Sequence, residues 1–247
     1  MDLSDRFARF LGWTPLLITL ICLLYYPFLN DYYVYYLTPE DGIIEYLTAI
    51  AAFAAFCILM VYIGKAAFRK GFDAQLGLLL LFAGACLFFA GEEISWGQRI
   101  FGIETESVSP WLAKINRQDE LTLHNIRGLD RMRLVADLFC LVWGIFVPYY
   151  YAKRPFPILW LRPFMSPRWL VPAYATALLI SLPRKIIELL FGEFQWLDDF
   201  RIGEFKEFTI SMIFLYFAIH LILKFSSEEK KEEAPVIENA DEQQDDS

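Results

Sequence analysis

The chain has 247 residues, of which 57 % are apolar and 17 % aromatic, and its mean hydropathy is +0.38. A soluble domain of that size needs more polar surface than this composition supplies, which argues for a membrane protein. The net charge of −8 is local: residues 226–247 hold nine acids against Lys230 and Lys231, so that tail carries −7 and the remainder is near neutral. Neither a basic nucleic-acid binder nor an acidic mimic of one fits this distribution, and no nucleic-acid partner is expected.

About 20 mainly apolar residues are needed to cross a bilayer as a helix. By that measure the sequence predicts an all-α polytopic bundle over residues 1–225, with about six spans near 11–29, 43–64, 74–95, 134–152, 169–190 and 208–224. The first follows Arg6 and Arg9, and no small-residue cleavage site comes after it, so it reads as a retained anchor. The second carries Glu45 near its start. A Ser166-Pro167 pair marks the beginning of the fifth. Residues 226–247 have little to bury and are expected to form a disordered acidic tail. Cys22, Cys57, Cys86 and Cys140 sit inside apolar runs without CxxC spacing, as free thiols would.

An even number of spans puts both termini on one side. Cytoplasmic termini place 12 of the 22 Lys and Arg residues inside, and none lies between Asn30 and Gly42. That bias sets the expected orientation.

The third span is the most informative. Asp73 is followed by 18 uncharged residues, Ala74 to Gly91, and then by Glu92 and Glu93. A helix starting at Ala74 brings both acids to the outer boundary of the hydrocarbon, where two carboxylates are costly unless paired, protonated or bound to a cation. If that helix continued, Glu92, Ser95, Trp96 and Arg99 would share a face, and Arg99 could neutralise a carboxylate. The same topology brings Glu45, Asp137, the Arg184–Glu188 pair, Glu204 and Glu207 to the same leaflet. Acids at helix N-termini also have an ordinary reading, since the helix dipole favours them.

Between the third and fourth spans, residues 91–133 are too polar for a simple span and suit an interfacial or re-entrant segment. A helix there would line up Asn116, Glu120, His124 and Arg127. The spacing Glu120-x-x-x-His124 sets a carboxylate beside an imidazole, as metal ligation or general acid/base work requires. His220, in an apolar helix far from this group, reads as a packed histidine.

The inventory resembles an active site. Candidate catalytic residues are Glu92, Glu93, Glu120 and His124. Candidate substrate-binding residues are Gln98, Arg99, Asn116, Gln118, Asn125 and Arg127. Glu45, Glu93 and His124 form a candidate metal set. No nucleophile elbow, Walker loop, HExxH or CxxC is present. The cofactor is not named by the sequence; a divalent cation such as Mg²⁺, Mn²⁺ or Ca²⁺ is the one these donors would take.

At GEEISWGQR (residues 91–99), at NRQDE (116–120) and at LHN (123–125), the chain resembles a family of uncharacterised bacterial multi-pass membrane proteins. The resemblance extends to DGIIE (41–45) and covers the first four spans best. It implies a multi-pass protein of the bacterial inner (plasma) membrane and brings no activity with it. Alkaline ceramidase-type lipid-amide hydrolases are similar in architecture, with acids and histidines at one membrane face, although they use a closely spaced C-terminal histidine pair where this chain has only His220. The function expected is therefore a membrane-embedded enzyme, a hydrolase or transferase, acting on a membrane lipid or lipid-linked substrate. The alternatives are an ion- or proton-coupled transporter and a membrane scaffold that recruits partners through its tail.

Overall fold

The computed structural model describes residues 3–39, 41–115, 122, 131–180, 182–192 and 200–245. Among these the regular structure is helical throughout. Helix α1 is Leu3–Tyr25, α2 is Ile43–Lys70 and α3 is Ala74–Glu93. Helix α4 starts as Arg131–Phe139, passes through a π-helical stretch at Cys140–Phe146 and ends as Val147–Tyr150. Helices α5 and α6 are Val171–Leu179 and Leu182–Phe191, and α7 is Ile202–Asp245.

Four helices are long and apolar enough to cross a membrane: Arg6–Tyr25, Ile43–Lys70, Ala74–Glu93 and the Ile202–Glu229 part of α7. This is the make-up of a helical membrane protein. Leu134–Tyr150 is a shorter apolar helix, and the apolar stretch expected at 169–190 is divided between α5 and α6. Many large apolar side chains face outward, Phe68, Leu81 and Phe28 among them, as a surface meant for lipid requires.

Helix α7 is the centre of the packing. It lies along α2 and also touches α5, α1 and α3, while α2 and α3 form an antiparallel hairpin. The face of α2 turned inward is built from small residues, Ala49, Ala52, Ala55 and Ala66, which let helices approach closely where lipid removes the hydrophobic drive to associate. Leu59, Leu76, Leu79, Leu170, Leu221 and Phe225 fill the main core. Gly144, in the π-helical stretch, is pressed against Tyr174 of α5: a β-carbon there would lie 2.2 Å from the ring. Three threonines inside the bundle are satisfied locally. Thr48, Thr209 and Thr176 donate to carbonyls one turn back on their own helices.

A smaller core gathers Tyr33, Ile44, Phe205 and Phe208 at the end of the bundle where α2 and α7 begin. Tyr33 belongs to the short π-helical segment Tyr33–Leu37 between α1 and α2, and its hydroxyl donates to the Phe200 carbonyl at 2.8 Å. Burial, with smaller contributions from Cys22 and Tyr26, pushes its phenol above the ordinary tyrosine value.

Helix boundaries differ from expectation at both ends of the chain. Helix α1 begins at Leu3 and ends at Tyr25, not at residue 29. Helix α7 starts at Ile202 and keeps helical conformation through the acidic stretch to Asp245. Cys22, Cys57, Cys86 and Cys140 are free thiols.

Candidate functional site

The third span ends abruptly, and the cause lies in three consecutive residues. Ser95, Trp96 and Gly97 have φ of 47°, 54° and 79°, a left-handed turn that no α-helix can contain. The face expected to run on from Glu92 to Arg99 is therefore absent, because α3 stops at Glu93. The turn folds Trp96 back onto the helix it has just left. Its Nε1 donates to Glu92 Oε1 at 2.8 Å, and its ring covers Gly91, where a β-carbon would come within 2.8 Å of it. Phe88 meets the indole edge-on at 5.8 Å. Each of Gly91, Glu92, Trp96 and Gly97 thus has a local structural reason to be what it is.

The turn leads into Gln98–Phe101, then Thr105–Val108 and Pro110–Ile115, all short helices. Gln98 is buried and donates through Nε2 to the buried Thr105 Oγ1 at 2.6 Å, closing the loop between them. The backbone of Arg99 is in the first of these helices; its side chain lies outside the described set. Asn116, Gln118, Glu120, His124, Asn125 and Arg127 also lie outside the described residues.

Glu92 and Glu93 are 5 % and 7 % exposed. Glu93 is a buried acid on which carboxylates from three helices act electrostatically. The charges acting on it belong to Glu207, Glu204, Glu45 and Glu92, in that order of strength. Two come from the first turns of α7, one from the first turn of α2 and one from α3 itself. Glu45 also closes the turn before its own helix. Its Oε2 accepts the backbone N–H of Asp41 at 2.6 Å, just ahead of the helix it opens. Asp41 holds that turn in the left-handed region, with φ of 62°. Glu45, Glu92, Glu204 and Glu207 all make further interactions as well.

Beside this group a salt bridge joins α7 to α4. Lys206 Nζ donates to Asp137 Oδ1 at 2.6 Å, with both side chains mostly shielded from solvent. Sequence reasoning placed Asp137 at this level but missed Lys206. Its only signal was a lone cation between Glu204 and Glu207 in the first turns of a helix.

Chemically, the arrangement is a set of acids at one end of the bundle with a cation at its edge. Like charges this close in a poorly hydrated place are stable only when protons, a metal ion or basic groups balance them. Among the described residues, no three His, Cys, Asp or Glu side chains are set to hold a metal ion. Of the metal set expected from sequence, Glu45 acts on Glu93 electrostatically from the start of α2, and His124 is outside the described residues. His220 is half-buried with its ring against Trp169 at 6.1 Å, remote from the acids.

Comparison with protein-family models, with curated proteins and with solved structures finds no match to this chain.

Proposed function

We propose that this chain is a six-span bacterial inner-membrane protein with cytoplasmic termini, whose carboxylate cluster serves an enzyme site for a lipid or lipid-linked substrate at the outer face. The observation that carries the reading is a pair of buried acids, Glu92 and Glu93, at the end of α3, with the charges of Glu45, Glu204 and Glu207 from two other helices acting on Glu93. Buried carboxylates such as Glu92 and Glu93 are costly to the fold, and sites with such groups are where proton transfer and cation binding occur. Glu93 is the acid/base or cation-binding group, and Glu92, held by Trp96, orients it. Glu120 and His124 supply a proton relay from the segment after α3, and Arg99 or Arg127 holds an anionic substrate group, with Gln98, Asn116, Gln118 and Asn125 lining the remainder.

Two features support six spans. The apolar helix Leu134–Tyr150 is about 26 Å long at 1.5 Å per residue, close to the thickness of the hydrocarbon core. In this reading α5 and α6 together make the fifth crossing. The resemblance to bacterial multi-pass proteins at GEEISWGQR agrees with this location.

Lipid analysis of a deletion strain tests the reading. Loss of the chain should cause one lipid species to accumulate and another to fall. Wild-type protein should reverse the change, whereas Glu93→Gln and His124→Ala should not. Full reversal by both variants would overturn the proposal.

A second reading, an ion- or proton-coupled carrier, is favoured by one observation: the described members of the cluster around Glu93 are all carboxylates. It requires pH- or ion-dependent flux in proteoliposomes that Glu45→Gln or Glu92→Gln abolishes.

A further inference from the structure

At the other end of the bundle, far from the acids, we infer a second binding site: a basic pocket that takes the phosphate group of an anionic ligand. Glu207 and Lys224 are 17 residues apart on α7. At 1.5 Å per residue this is about 26 Å, close to the thickness of a hydrocarbon core. The pocket therefore sits at the opposite membrane face, at headgroup level.

Its volume is about 710 Å³, and three stretches of chain build it: the end of α4 with the turn after it, the segment from Arg162 to Arg168, and Lys224. Lys153, Arg154, Arg162, Arg168 and Lys224 line it together. Three of the five are held in place. Lys224 Nζ donates to the Pro163 carbonyl at 2.9 Å, Arg168 Nε donates to the Pro148 carbonyl at 3.3 Å, and the Arg154 guanidinium lies 4.5 Å from the centre of the Tyr150 ring. Buried Ser166 also lines the cavity, and the Tyr174 hydroxyl is the polar group beside its Oγ.

Charge balance points to an anion. Among the described residues no carboxylate oxygen comes within 4.0 Å of any of the five cations. Lys224 feels one acid, Glu228, a turn further along α7, and one cation, Arg162, across the pocket. Four of the five are exposed, so water and salt screen their repulsion, but five like charges around one groove make a positive potential that draws an anion to it. Guanidinium forks and a serine hydroxyl match the several oxygens of a phosphate better than the single plane of a carboxylate. At a membrane face the source is either the headgroup of an anionic phospholipid or free phosphate.

The ordinary alternative is a basic flank that merely attracts the anionic leaflet. The end of α2 provides that comparison, because Lys70 pairs with Glu229 at 3.4 Å and so places Lys65 and Arg69 on the same side. The full-length protein is titrated with phosphatidylglycerol, phosphatidylcholine or inorganic phosphate, and retained ligand is read by native mass spectrometry. The double variant Lys153→Gln/Arg162→Gln removes two charges that make no hydrogen bond to the described fold. Wild type should retain phosphatidylglycerol about tenfold over phosphatidylcholine, and the variant should lose at least about tenfold of that affinity. Lys65→Gln/Arg69→Gln should leave it unchanged. If the lipids bind alike while phosphate raises the Tm of wild type and not of the pocket variant, the same pocket belongs to free phosphate. Equal behaviour of wild type and pocket variant toward both ligands overturns the inference. So does an equal loss in the α2 variant.

Discussion

Trp96 donates its indole N–H to the carboxylate of Glu92 across a glycine that leaves no room for a side chain. That relationship turns the end of α3 into a clamp and fixes where Glu92 points. A methyl group at Gly91 would sit 2.8 Å from the ring, so Gly91→Ala must push the indole away or bend the helix end. The expected cost is about 1–3 kcal/mol of stability, with a shifted tryptophan fluorescence spectrum. Thermal unfolding in detergent, followed by fluorescence, checks both.

Lys206 and Asp137 tie the first turns of α7 to α4 by a single 2.6 Å contact. Removing one partner strands the other charge where solvent reaches it poorly. Asp137→Asn is expected to lower stability by about 2 kcal/mol. The exchanged pair Asp137→Lys/Lys206→Asp should recover most of that loss. Denaturation curves of the three proteins measure it.

Glu93 is buried and feels the charges of four other carboxylates. Glu93→Gln keeps the shape and removes one of the like charges. The expected result is a protein at least as stable as wild type that fails to support function, the pattern of a residue kept at the fold's expense. Tm and complementation on the same variant measure the two halves.

Two glycines in helices should respond in opposite directions to the same change. Gly144 would place a β-carbon 2.2 Å from the Tyr174 ring, whereas Gly84 in α3 has nothing within 4 Å. Gly144→Ala should separate α4 from α5 and cost several kcal/mol. Gly84→Ala should be neutral or gain up to about 1 kcal/mol from helix preference. Paired melting curves decide it.

Much of the fold is legible in the sequence because bilayer crossing leaves a strong signature. Eighteen uncharged residues ahead of Glu92 and Glu93 are enough to place those acids at a helix end. The left-handed turn after them is not legible: Ser95 and Trp96 rarely adopt such a conformation, and only Gly97 hints at it. Long-range pairings are equally hidden. Lys206 and Asp137 are separated by 69 positions, and the five cations of the basic pocket come from three stretches of chain.

The central claim is that the acids around Glu93 work as one site. Single Glu→Gln variants at Glu45, Glu92, Glu93, Glu204 and Glu207, each with its expression level measured, should fail to complement the deletion strain. The exposed acids Glu104 and Glu106 beyond the α3 turn serve as controls, and their Gln variants should complement fully. Complementation by the five cluster variants at the level of the two controls would contradict the account.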